Sequence, residues 1–205
     1  IQIGNNHNPA TGVHITGLGN GDAFGHSMAN ISDIDGDGIV EIAVTASKTG
    51  PQNDGTIYVF NTSTLASGTA DLENTIRFYG QPFQQAGTQL QGIGDFNGDG
   101  HQDFVIKAGS IWGSSTELGT LYVIFGASTF AQENQLVDAS LQISSEATGN
   151  DFGERILSQA DINADGFDDL VFANPLADYP IGSSNNNHGF VFGMLGGTMT
   201  GTHLI

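Results

Sequence analysis

Three stretches of the sequence crowd carboxylates in the same order: "DIDGDGIVE" from Asp33 to Glu41, "DFNGDGHQD" from Asp95 to Asp103, and "DINADGFDD" from Asp161 to Asp169. Aligned, they share Asp at position 1, Asp or Asn at position 3, Asp at position 5, Gly at position 6 and an acid at position 9. Side chains at 1, 3 and 5 converge on one point only where the backbone curls around it. Gly at position 6 (Gly38, Gly100, Gly166) permits the positive φ that such a curl requires. Carboxylates held this close repel one another unless a cation stands among them. Hard oxygen donors on a flexible loop suit Ca²⁺, which accepts about 6–8 oxygens at about 2.3–2.6 Å. The backbone carbonyl at position 7 (Ile39, His101, Phe167) is a further donor.

An EF-hand begins the same way, but it places a bidentate Glu at position 12 and flanks its loop with helices. Here position 12 is Val44, Ile106 and Phe172, apolar residues inside apolar runs, and the acid comes at position 9 instead. The EF-hand reading fails on both counts.

The elements that carry these loops repeat with them. The loops start 62 and 66 residues apart, and eight residues before each stands a glycine, at Gly25, Gly87 and Gly153. After each comes an apolar run ("EIAVTA", "DFVIKA", "DLVFAN"). A variable polar stretch follows, then a Gly-led strand ("GTIYVFN", "GTLYVIFG", "GFVFGML"). An alternating segment such as "NTIRFYG" or "ASLQISS" leads into the next repeat. "GVHITGLG" opens the chain in the same manner, and "GTHLI" closes it as a candidate for another. A fixed period of this length means one supersecondary unit repeated. Each unit reads as four short strands, so the fold class is all-β: an array of about three four-stranded antiparallel blades of β-propeller type. The approximate repeats are 13–74, 75–140 and 141–205, within a single module spanning 1–205. No convincing amphipathic helix is found; "LVDASLQI" falls where the other repeats place a strand. A sandwich of the same strand count does not explain the matched spacing.

With these three loops in phase, the sequence resembles the FG-GAP repeats, the blade units of the integrin α-chain propeller and of many bacterial extracellular proteins. The resemblance is carried by Phe24-Gly25, Phe152-Gly153 and the three D-x-D/N-x-D-G-x-x-D loops. It departs at Ala86-Gly87 and at the Gly-Ala-Pro position, where "TASK", "KAGS" and "ANPL" stand. The resemblance implies about three Ca²⁺, one per repeat. Asp33, Asp35, Asp37, the Ile39 carbonyl and Glu41 would hold the first. Asp95, Asn97, Asp99, the His101 carbonyl and Asp103 would hold the second, and Asp161, Asn163, Asp165, the Phe167 carbonyl and Asp169 the third. Four carboxylates in the first loop against three in the others make it the tightest site by charge, with the longer Glu41 as the geometric complication. Asp168 is expected to be a solvated neighbour.

The implied function is a calcium-stabilised extracellular binding or adhesion module without catalysis. Its protein or glycan ligand would meet the loops at the end opposite the calcium loops, where Trp112 and Tyr179 are the aromatic candidates. The alternative is an accessory propeller domain of a larger secreted enzyme, such as a polysaccharide-active enzyme or phospholipase. Closed propellers have roughly 4–8 blades, and integrin-like ones seven. Three cannot close a ring, so the sequence reads as a piece of a longer protein or as copies that join edge to edge. The opening "IQIGNNHNP" has neither an initiator Met nor a signal peptide, as expected of a processed or partial chain.

Composition narrows the partners. Four Lys and Arg stand against 22 Asp and Glu, which makes nucleic acid and anionic membrane surfaces poor partners and cations the natural counterpart. There is no Cys, hence no disulfide framework and no Cys-ligated zinc. No run approaches the roughly 18 apolar residues of a membrane helix. "GHSMA", Gly25 to Ala29, nearly matches the G-x-S-x-G nucleophile elbow, which needs a sharp strand-to-helix turn. Its equivalents "GTQLQ" and "GERIL" mark it instead as the first strand of a blade.

Overall fold

The computed structural model describes residues 14–66, 71–109, 118–148, 152–175 and 189–204. Trp112 and Tyr179 lie outside the described residues. The first blade runs β1 (Phe24–Ser32), β2 (Glu41–Ala46), β3 (Thr56–Asn61), a five-residue helix α1 (Thr62–Ala66) and β4 (Ile76–Tyr79). The second runs β5 (Gln89–Gly94), β6 (Asp103–Ala108), β7 (Leu118–Ile124), β8 (Glu133–Gln135), a 3₁₀ turn at Leu136–Asp138 and β9 (Leu141–Thr148). The third runs β10 (Arg155–Ala160), β11 (Asp169–Asn174) and β12 (Phe190–Met194), followed by β13 (Gly201–Leu204). Within each blade neighbouring strands pair antiparallel, consistent with the blades of a partial propeller. Each acidic loop joins the first and second strands of its blade.

The apolar runs become the second strands, and their burial follows from position. β6 lies in the central blade, so both its faces are covered. Phe104 and Ile106 enter a core shared with Ile31, Ala43, Ile57, Val59 and Phe78 of the first blade. Val105 enters a core shared with Phe152, Leu170 and Phe172 of the third. A strand buried on both faces reads as a continuous apolar run, not as an alternation. Even Lys107, on this strand, is only 3% exposed; its ammonium meets Glu154 of the third blade at 3.1 Å. The first strands lie side by side, with β5 in contact with both β1 and β10.

Two features depart from the simple four-stranded reading. β8 does not stay with its own blade but pairs parallel with β4 of the first, Arg77 opposite Glu133 and Tyr79 opposite Gln135. β13 does likewise, pairing parallel with β9 of the second blade, Gly201 opposite Leu141 and Leu204 opposite Ser144. "GTHLI" is therefore an added edge strand of the preceding blade, not a fourth strand for the third. Among the described residues the sheets have five, five and three strands. The added strands latch consecutive blades together, and the Arg77–Glu133 pair at 2.9 Å lies across the first latch.

The departure at Ala86 leaves the turn intact. Gly87 has φ +92°, close to +85° at Gly25 and +69° at Gly153. Ala86 is fully buried, where the small side chain suits the close backbone of Asp54, whose carbonyl accepts from the Ala86 N–H at 3.0 Å. Ser27 lies inside β1, its N–H donating to Thr45 Oγ1 at 2.9 Å. No strand-to-helix turn stands there, and the nucleophile-elbow geometry is absent at this segment.

Candidate metal centres

The position-1 aspartate organises each loop. Asp33 accepts from the N–H of Gly36 at 2.7 Å through Oδ1 and of Gly38 at 2.9 Å through Oδ2. Asp95 accepts from Gly98 and Asp99 through Oδ1, at 2.7 and 3.1 Å, and from Gly100 through Oδ2 at 2.9 Å. Asp161 accepts from Asp165 at 3.1 Å and Gly166 at 3.0 Å. The position-6 glycines take φ of +85°, +92° and +95° in turn, the left-handed conformation that costs an L side chain but not glycine. Position 5 repeats as well: Asp37, Asp99 and Asp165 each accept the N–H two residues on, at 2.7, 2.9 and 3.0 Å. The three loops thus share one backbone trace.

In the first loop, Asp33, Asp35 and Asp37 each bring one carboxylate oxygen within 4.8 Å of the others. Oxygens bound to one Ca²⁺ at about 2.3–2.6 Å stand at most about 5 Å apart, so this group fits a single ion. In the second and third loops an amide replaces the central carboxylate. Asn97 Nδ2 donates to Asp99 Oδ2 at 2.9 Å, and Asn163 Nδ2 to Asp165 Oδ2 at 2.8 Å. The partial positive charge of the amide offsets the carboxylate there; holding a cation requires turning the amide oxygen inward.

The position-9 acids are placed differently from the rest. Glu41 is 2% exposed, and Asp103 and Asp169 are fully buried. Each reaches back to the N–H at position 2: Glu41 to Ile34 at 3.1 Å, Asp103 to Phe96 at 2.9 Å, Asp169 to Ile162 at 2.7 Å. Their second oxygens hold the chain just beyond the third strand. Asp103 accepts from Gly126 N–H at 2.8 Å and Asp169 from Gly196 N–H at 2.7 Å. In the first blade the outer oxygen instead accepts from the side-chain amide of Asn61, the last residue of β3, at 3.1 Å. The extra methylene of Glu41 is thus absorbed at its outer oxygen, while its bond to the loop matches those of the two aspartates. Sequence reasoning placed these acids but missed their tethers. The signal was a glycine just after the third strand, in "FGAS" and "LGGT".

Burial pushes Glu41 up to about 7 against the bond from Ile34, with the charges of Asp35, Asp37 and Asp33 adding to the rise. Burial likewise holds Asp103 at about 7, although the N–H groups of Gly126, Asn97 and Phe96 oppose it. Unfolded, both carboxyls titrate near 4. In calcium-depleted protein their contribution to stability is therefore full below about pH 4 and lost as the pH rises through about 7. We expect a higher melting temperature at pH 5.5 than at pH 7.5 in calcium-free buffer. The general repulsion of a chain of net charge −18 acts in the same direction, so the decisive comparison is Glu41→Gln. That variant should narrow the gap between the two pH values, and an unchanged gap would contradict the assignment.

Asp168 is not a free solvated neighbour. Its Oδ2 accepts from the Asp95 N–H at 3.0 Å, and its own N–H donates to the Asp95 carbonyl at 3.2 Å. It clamps the start of the second loop from the third blade, because adjacent blades bring their loops side by side. His101 also does more than lend its backbone. A Cβ added to Gly36 would lie 3.0 Å from its ring, and Phe167 is packed in the same way over Gly98. Asp168→Ala leaves the Asp95 N–H without its carboxylate and should cost about 1–2 kcal/mol, roughly 2–8 °C of melting temperature for a chain of this size. A melt within 1 °C of wild type, by the order-of-magnitude criterion for neutral surface changes, would return Asp168 to the solvent.

Comparisons with known proteins bear on the repeat that carries these loops. A family model described as FG-GAP repeat matches residues 24–60, 86–124 and 155–192, together more than half of the chain. Three curated proteins of Drosophila melanogaster are similar in sequence. Integrin alpha-PS3 is 29% identical over 164 residues, 77% of this chain and 14% of that protein. Integrin alpha-PS2 is 26% identical over 197 residues, 92% and 13%. Integrin alpha-PS5 is 27% identical over 164 residues, 77% and 15%. The chain thus spans only 13–15% of the length of these relatives.

Proposed function

The chain belongs to the FG-GAP repeat family, and from that membership and the geometry of its loops we propose a calcium-stabilised, extracellular, non-catalytic module of integrin-like adhesion type. One observation carries the reading: the convergence of Asp33, Asp35 and Asp37 on a space the size of one cation, on a backbone trace that recurs in all three blades. The first ion would be held by these three side chains, the Ile39 carbonyl and Glu41. Asp95, Asn97, Asp99, the His101 carbonyl and Asp103 would hold the second, and Asp161, Asn163, Asp165, the Phe167 carbonyl and Asp169 the third. The ion supplies charge neutralisation and a rigid link between the first and second strands of its blade. Binding energy of this kind adds directly to folding stability.

With the first-to-second strand loops occupied by cations, the recognition surface falls to the second-to-third strand loops at the other end, among them residues 47–54 of the first blade. A protein ligand is the partner this reading favours, in keeping with relatives that are integrins by name. Surface plasmon resonance tests it, with the immobilised chain exposed to purified collagen, laminin and fibronectin and, separately, to a glycan array. Saturable binding to one of the proteins, lost in chelator, is the expected result. Binding to glycans alone would make the module a lectin, and no binding in either assay would overturn the adhesion reading.

A further inference from the structure

The three loops are not isolated from one another. Ile34, at position 2 of the first loop, donates its N–H to Glu41 at 3.1 Å, and its carbonyl accepts from the Ala127 N–H at 2.9 Å. Ala127 follows Gly126, whose N–H is bound to Asp103 at 2.8 Å. Asp103 holds the Phe96 N–H at 2.9 Å, and the Phe96 carbonyl accepts from Gly197 at 2.7 Å. Gly197 follows Gly196, bound to Asp169 at 2.7 Å, which in turn holds Ile162. The result is one unbroken series of peptides and buried carboxylates running from the first loop to the third. Two of the bridging positions, Gly126 and Gly196, have no room for a side chain. A Cβ on Gly126 would lie 2.5 Å from His101 Cβ and 2.8 Å from the Ile34 carbonyl oxygen, and one on Gly196 would lie 2.7 Å from the Phe96 carbonyl oxygen.

We propose that this relay couples the loops, so that a cation bound at one raises the affinity of its neighbours, with Gly126-Ala127 and Gly196-Gly197 as the positioning residues of the link. The inference rests on the calcium reading above and goes beyond it. A cation that fixes the position-9 carboxylate of one loop also fixes the residue at position 2 through its N–H. That residue's carbonyl anchors the bridge of the next blade, and the bridge's other N–H positions the next blade's own position-9 carboxylate. The second cation then meets a loop whose ordering cost has already been met in part, which is positive cooperativity. The opposing effect is that a filled loop no longer attracts cations to its neighbour by charge. Physiological salt screens that attraction beyond about 8 Å.

Nuclear magnetic resonance resolves the question site by site. The ¹⁵N-labelled chain is titrated with calcium chloride in physiological salt, following the amides of Gly38, Gly100 and Gly166, one in each loop. In the wild type all three should follow one steep curve with a shared midpoint, despite their different carboxylate counts. Asp99→Ala then disables the second loop by removing an exposed side chain. The midpoints at Gly38 and Gly166 should move to calcium concentrations at least about fivefold higher, the lower end of ordinary coupling between sites. Response of all three loops, but along separate wild-type curves or with unmoved midpoints in the variant, overturns the coupling and leaves the calcium reading standing. No response at any loop overturns both. Should the variant fail to fold, the wild-type curves decide alone.

Discussion

Stripping calcium from the protein should lower its melting temperature by about 15–30 °C. The figure follows from mass action. At a calcium concentration of about 100 times the dissociation constant, each site adds about 2.7 kcal/mol to folding, so three sites add about 8 kcal/mol. In a chain of this length each kcal/mol moves the melting temperature by roughly 2–4 °C. The direction is fixed by electrostatics. Without an ion, the first loop holds three carboxylate oxygens within 4.8 Å of one another, and the neighbouring position-9 acid is buried at 2% exposure. Nothing in the loop except amide hydrogens opposes that repulsion. Magnesium should restore little of the loss, because its smaller octahedral shell sheds water reluctantly. Circular dichroism melts in calcium, in chelator and in chelator with magnesium provide the measurement. A melt insensitive to chelator would count against all three sites at once.

Local chemistry was legible in the sequence; contacts between blades were not. "EIAVTA", "DFVIKA" and "DLVFAN" are the second strands with their bounds unchanged, because an apolar run after an acidic turn is a local signal. β8 escaped notice because it is three polar residues, Glu133 to Gln135, on an exposed sheet edge. Backbone pairing there needs no apolar pattern. β13 was seen as a strand but not its partner, since period-2 alternation says which face a residue takes and nothing about which sheet it joins. The clamp from Asp168 to Asp95 spans 73 residues, beyond any pattern that one repeat can display. The same holds for the bridge from Ala127 to Ile34. The acid spacing contained in nine residues could be read directly, whereas the hydrogen-bonded series that joins the loops exists only once the blades stand side by side.

On the calcium reading, the acids of a loop divide into those whose main role would be to hold the cation and those the fold itself needs, and two substitutions separate them. Asp103→Ala removes the acceptor for three backbone donors, Gly126 at 2.8 Å, Phe96 at 2.9 Å and Asn97 at 3.2 Å. A buried donor left without a partner costs about 1–3 kcal/mol. Relief from burying a carboxylate recovers part of the sum, so the net loss should be about 3–5 kcal/mol. That is roughly 6–20 °C in a chain of this size, and it should be present in calcium and in chelator alike. Asp103→Asn keeps one acceptor and should fall between the variant and wild type. Asp35→Ala is the opposite case. Its carboxylate accepts only the nearby Asp37 N–H, at 3.1 Å on the exposed face of the loop. The melt in chelator should therefore stay within about 2 °C of wild type, a surface-change magnitude, while the rise produced by calcium shrinks. If Asp103→Ala were harmless in chelator, the buried carboxylate would be a ligand and nothing more. If Asp35→Ala left the calcium-induced rise intact, the first site would not lie where its three carboxylates converge.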